Sequence, residues 1–320
     1  MPEAAQPEPS RAGTGSEPVP SASRRTVLIA LAINVGIAAA KALAAVISGS
    51  SALLAEAAHS IADTGNEVFL LVALRSSARP ADATHPFGYG ADRFFWSLLA
   101  AFGIFVAGGL VAAAEGIYQL LHPHHLGSLV VGYVVLAVSL VLELASWRTV
   151  YRQLRTEARG RGVGLRVYMR RSSDPTATTV FYEDTAAVIG IGFATAGLVL
   201  HQLTGSAVPD AAASIAIGAL LVYVAIQLAS RERALLTNQS ASASIVAEVR
   251  QVIMDTPDVE HVGRLDVVVI GPRMWLVTAD VVLTQTLTGT GIATTLDHAR
   301  IRLRERPGVM HVYLTPIRSP

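Results

Sequence analysis

The segment Glu56-Ala57-Ala58-His59-Ser60-Ile61-Ala62-Asp63-Thr64-Gly65-Asn66-Glu67 concentrates the side chains able to do chemistry. His59 and Asp63 are four residues apart, which on a helix stacks them one turn apart on a single face. Glu56, Asn66 and Glu67 fall on or beside that face. An imidazole nitrogen and a carboxylate oxygen at this spacing form half a site for a divalent cation. The plainer alternative is that His59 hydrogen-bonds across a helix bundle and Asp63 pairs with Lys41. A second acidic segment, Tyr182-Glu183-Asp184-Thr185-Ala186-Ala187, weighs against it. Adjacent carboxylates in a dry setting repel when both are ionised, and a bound cation relieves the repulsion. Neighbouring residues on a helix point about 100° apart, so one of the two should face the site. Asp184 is the expected ligand, with Glu183 as a neighbour or proton carrier.

Other polar residues carry less. Asn34 is a candidate to donate an amide oxygen or orient a ligand, and Glu115 and Glu143 to meet helix ends or line an inner cavity. Asp210 reads as a helix-start residue. His122, His124 and His125 read as a solvated turn, with weak recruitment of metal as the alternative.

The composition identifies the medium that surrounds these groups. Of 320 residues, 52% are hydrophobic and only 15% charged, against about 25% charge in a soluble domain. That excludes a disordered chain, a coiled coil and an ordinary cytosolic enzyme. A net charge of +1 gives no reason to expect nucleic acid. With no cysteine, disulfides, thiolate zinc sites, cysteine-ligated clusters and a cysteine nucleophile are all excluded.

Residues 1–22 are poor in bulky side chains and are expected to be a disordered tail. A transmembrane domain is expected over 24–232. Its six apolar runs lie near 26–48, 51–76, 94–121, 128–150, 178–202 and 206–229, each long enough to cross a hydrocarbon core of roughly 30 Å. Ionisable groups inside such runs are costly and face a partner or a watery path. The arginines before the first run, between runs two and three, and between runs four and five all fall on one side. By the positive-inside rule that side is the cytoplasm, and both termini lie there. The basic connection 151–174 reads either as a solvated linker or as a short amphipathic helix on anionic lipid. Beyond residue 240 the apolar period alternates between helical and extended, giving α-β-β-α-β and a small α+β domain over 240–318.

The loop His85-Pro86-Phe87-Gly88-Tyr89-Gly90-Ala91-Asp92-Arg93-Phe94-Phe95-Trp96, taken with His59-Ser60-Ile61-Ala62-Asp63, resembles the cation diffusion facilitator family of metal transporters. The Glu183-Asp184-Thr185-Ala186-Ala187 segment is similar to its ZnT9-like branch. The resemblance implies a homodimer, paired through the transmembrane and C-terminal domains; the plasma (inner) membrane is the expected location. It implies a ferredoxin-like, metallochaperone-like cytoplasmic domain. It also implies export of a divalent metal, zinc first, in exchange for protons, with no prosthetic group and no enzymatic activity. His59, Asp63 and Asp184 match the family's metal ligands. The fourth ligand position holds Val180, which leaves Glu183, Asn34 or water to complete the set. His85 matches one histidine of a loop site whose partner position is Tyr89. His261, Asp280, His298 and His311 do not make a full site in the C-terminal domain. Export of manganese, iron, cobalt or nickel stays open, as do a membrane-embedded metal sensor and a metallohydrolase.

Overall fold

The computed structural model describes residues 21–123, 127–160, 162–171 and 176–318. Residues 1–20 of the expected tail, and His124 and His125, lie outside them. The first helix, α1, spans Ser21–Ser48, so Ser21 and Ala22 are helical and not part of a tail. Low hydropathy marks where an apolar run stops, not where a helix must.

After α1 come α2 (Ser51–Ser77), α3 (Asp92–Gly103) and α4 (Val111–Leu121). A π-helical stretch, Ile104–Leu110, makes α3 and α4 one continuous rod. Then follow α5 (Leu129–Gly160), the short α6 (Leu165–Arg171), α7 (Thr176–Thr204) and α8 (Val208–Leu236). Gly49, at a φ of 69°, and Ser50 alone connect α1 to α2. The Ser50 hydroxyl caps α2 by accepting from the Leu53 backbone N–H at 3.1 Å.

Four of these rods are long and apolar enough to cross a membrane: 92–121, 129–160, 177–204 and 208–236. The chain is therefore a multi-pass integral membrane protein. The described apolar part of α1, Asn34–Ser48, is shorter, and α2 is interrupted by its own charged residues.

Leu53, Ile104, Leu136, Ile191, Leu198, Ile217 and Leu221 form the core of the bundle. Small residues set how closely the rods approach. At Gly218 of α8, an added Cβ would lie 2.7 Å from the Ala113 backbone nitrogen and 2.8 Å from the Gly109 carbonyl oxygen. Both obstacles are backbone, so a side chain there forces the helices apart. Gly218→Ala is expected to destabilise the bundle by about 1–3 kcal/mol, the usual range for overpacking. Thermal unfolding in detergent would show it, and an unchanged midpoint would mean that α8 slides freely past α4.

The C-terminal part is a mixed α/β domain. Its order is α9 (Ala243–Met254), β1 (Val259–Gly271), β2 (Met274–Leu283), α10 (Gly289–Arg304) and β3 (Val309–Ile317). The sheet runs β1-β2-β3, with β1 antiparallel and β3 parallel to β2. Val249, Ile253, Val277, Leu303 and Leu314 fill the space between sheet and helices. Phe94 of α3 and Leu235 of α8 pack on Val269 and the partly buried Trp275, which seats the sheet against the end of the bundle. Gly90 makes the approach possible, since a Cβ there would stand 2.8 Å from the Ile270 carbonyl oxygen.

Candidate metal site

A cavity of about 320 Å³ opens between α1, α2, α5 and α7. Asp63, Asn66 and Glu67 enter it from α2, Glu143 and Ser146 from α5, and Val180, Glu183 and Asp184 from α7; Asn34 comes from α1. The His59 Nε2 lies 3.5 Å from the Asp63 Oδ2, as the four-residue spacing requires. His59 is 1% exposed, and neither ring nitrogen has a hydrogen-bond partner. An unpartnered buried imidazole is costly, and a cation is one group that would engage it.

The two carboxylates of α7 each have a side-chain donor. Asn66 Nδ2 donates to both oxygens of Glu183, at 2.7 and 2.6 Å. Ser146 Oγ donates to Asp184 Oδ2 at 2.8 Å. The Asn34 amide donates to Glu67, so its oxygen is turned away from that bond. Asp63 Oδ1 and Glu67 Oε2 are buried without partners. Among the described residues no three His, Asp or Glu side chains converge tightly enough to hold a metal as they stand.

One expectation is corrected here, and two other buried charges find their partners. Glu183 and Asp184 both line the cavity. The 100° between them fails to separate them because the cavity is broad: Glu183 reaches α2 while Asp184 leans to α5. Lys41 does not pair with Asp63. Its Nζ donates to Glu56 Oε2 at 3.0 Å and to Ser60 Oγ at 2.9 Å. Asp210 does begin α8, but its side chain serves another helix. It accepts from the Ser50 hydroxyl at 2.6 Å and the Ser51 N–H at 2.8 Å, at the start of α2. Ser146 had no sequence signal, being one serine in an apolar run.

His85 stands apart from the cavity, in the connection between α2 and α3. Its ring lies 4.0 Å from that of Tyr89 and its Nδ1 2.9 Å from Thr84 Oγ1. Hydrogen bonds from the Thr84 and Tyr89 hydroxyls and the His85 N–H hold Asp82 well below the usual carboxylate range. Phe87 in the same connection meets His311 of β3 edge-on at 5.0 Å.

The cation efflux transmembrane domain matches residues 27–237. The chain is 34% identical over 238 residues to the mitochondrial proton-coupled zinc antiporter SLC30A9 of Xenopus laevis, covering 74% of this chain and 43% of that protein. Against the human protein of that name the identity is 32%, with 74% and 42% covered. Metal tolerance protein C4 of Arabidopsis thaliana is 34% identical over 234 residues, or 73% and 51%. The chain thus spans about half, or less, of the length of these relatives.

Proposed function

The chain belongs to the cation efflux family, which is one of transporters and not of enzymes, and on that premise we propose that it exports a divalent metal, zinc first, by exchange for protons. The observation that carries the proposal is the cavity between α2 and α7, where Asp63 and Asp184 face one space with His59 beside them. On this reading α1 and α2 also cross the bilayer, making six spans, with both termini in the cytoplasm. The plasma membrane and a homodimer are part of the same proposal.

Metal enters from the cytoplasm and meets His59, Asp63 and Asp184. Ligation needs a neutral imidazole and ionised carboxylates, so binding releases protons. The helices then rock so that the cavity faces the other side. Protons arriving there compete for the same oxygens and nitrogen and free the metal. Glu183, clamped by Asn66, is the nearby group able to pass a proton. The similarity to proton-coupled zinc antiporters supports zinc. The donor set, one imidazole among oxygens, also suits manganese, iron, cobalt or nickel.

Val180 lines the cavity at the position where a fourth ligand would stand. Metal-driven proton flux in proteoliposomes, measured with each of these ions, tests the reading. The wild type is expected to carry zinc and at least one harder ion. Val180→His, which adds a second imidazole, is expected to sharpen the preference for zinc by about 10-fold, because nitrogen ligands favour it. Absence of flux with every metal, from folded protein, would remove transport and leave the sensor reading.

A further inference from the structure

The outward face of α5 continues without a break from apolar to basic. Val130, Val134, Val138 and Val141 are exposed at 69%, 57%, 56% and 68%. Their spacing of four, four and three residues makes one stripe, which on a membrane helix is a lipid-facing stripe. Arg148, Arg152, Arg155 and Arg159 prolong it at four, three and four. Arg148 lies eighteen residues, or five full turns, beyond Val130. The four guanidinium groups therefore leave the helix on the side that meets lipid.

Their surroundings fit that level of the bilayer. All four arginines are exposed, and among the described residues none lies within ion-pair distance of a carboxylate. Trp147 and Tyr151 stack at 5.1 Å with 5° between their planes, and Arg155 lies 5.9 Å over the Tyr151 ring. Paired aromatics at the end of an apolar run mark the headgroup region. An adjoining side of α5 is occupied, with Leu154 and Ala158 buried against Tyr168 and Met169 of α6. The arginines and the two aromatics border an open cleft of about 490 Å³.

We propose that this cleft binds the phosphate-bearing headgroup of an anionic phospholipid. Arg148 and Arg152 hold the phosphate with their planar forks. Arg155 and Arg159, one and two turns further out, add long-range attraction. The site abuts the cavity: Trp147 donates to Thr185 of α7 at 3.0 Å, and Ser146, one residue earlier, holds Asp184. A bound headgroup thus braces the turn of α5 that positions Asp184. The binding itself does not depend on transport.

The test is native mass spectrometry of the full chain in neutral detergent, titrated with phosphatidylglycerol or with phosphatidylcholine of the same acyl chains. Phosphatidylglycerol is expected to bind more tightly by about 10-fold or more. Arg148→Gln with Arg152→Gln is expected to erase the preference while leaving elution volume and melting unchanged. The Arg148→Lys, Arg152→Lys pair keeps the charge but loses the fork, and should keep only part of it. Arg264→Gln, on the C-terminal domain, should change nothing. Equal binding of the two lipids, or an undiminished preference in the double glutamine variant, would overturn the proposal. Displacement by millimolar inorganic phosphate would also overturn it, by marking a soluble-anion site. So would preferential retention of an acidic peptide.

Discussion

Asp63→Asn abolishes metal-driven proton flux in proteoliposomes, while the protein melts no lower than the wild type. The two halves of this expected result have one origin. Asp63 supplies an unpartnered oxygen to the cavity and lies 3.5 Å from His59. Asparagine fills the same volume but brings no charge to a divalent ion. Losing partners that merely orient a ligand costs about 10–100-fold, so losing the ligand itself should exceed that range. In the empty cavity, however, Asp63 is one of five acidic side chains, with Glu67, Glu143, Glu183 and Asp184. Removing one charge from such a group relieves repulsion and does not lower stability. Flux within a few-fold of wild type would show that Asp63 is not a ligand. Loss of flux together with loss of folding would leave its role undecided, and Asp63→Glu, which keeps the charge, then separates the two.

The second large effect concerns Lys41. Its side chain and that of Glu56 are both 0% exposed, at 3.0 Å. Glu56 Oε1 has no hydrogen-bond partner, and it fills the space that a Cβ would take at Gly190. Removing one partner of a buried pair strands the other and costs about 3–5 kcal/mol, whereas replacing both by apolar groups is often neutral or better. Lys41→Met alone and Glu56→Met alone are each expected to lower stability by that amount. The double variant is expected to recover most of it. Reversible unfolding in mixed micelles measures all four corners of the cycle. Additive losses would mean that the two charges do not sense each other, and that the contact between α1 and α2 rests on packing.

How much of this could be seen in the sequence depended on whether a feature has a period. His59 and Asp63 were legible because four residues is nearly one helical turn. The αββαβ order was legible because the apolar pattern changes from the helical to the alternating period near Val259. The end of α5 was not. Hydropathy falls at residue 150, yet Arg, Gln, Leu, Glu and Ala sustain a helix well, and α5 runs to Gly160. Hydropathy reports the edge of the bilayer, and helix propensity reports the end of the helix. The partners of Lys41 were hidden for another reason. Glu56, Ser60 and Asp63 all lie within two turns of α2, and only the depth at which α1 crosses it decides which of them the ammonium meets. Ser146 could not be found, since a hydroxyl in an apolar run has no periodic signature.

The π-helical stretch Ile104–Leu110 amounts, in arithmetic terms, to a surplus residue carried within a rod. Gly108 in it comes close to the turn of α2 that bears His59, since a Cβ there would lie 4.0 Å from the His59 Cα. Deleting one residue from this stretch would restore regular helical hydrogen bonding, and the rod itself would gain. The surplus leaves with the bulge, so the turns beyond keep their facing, with Gln119 still on Ser51 and Gly116 still against Ala211. The rod is therefore expected to lose a residue here more easily than it gains one, while the segment is intolerant of a side chain at Gly109, where a Cβ would lie 2.7 Å from Val222 Cγ2. In genetic terms this is a place where a single-codon deletion is expected to pass and a missense change at Gly109 is not.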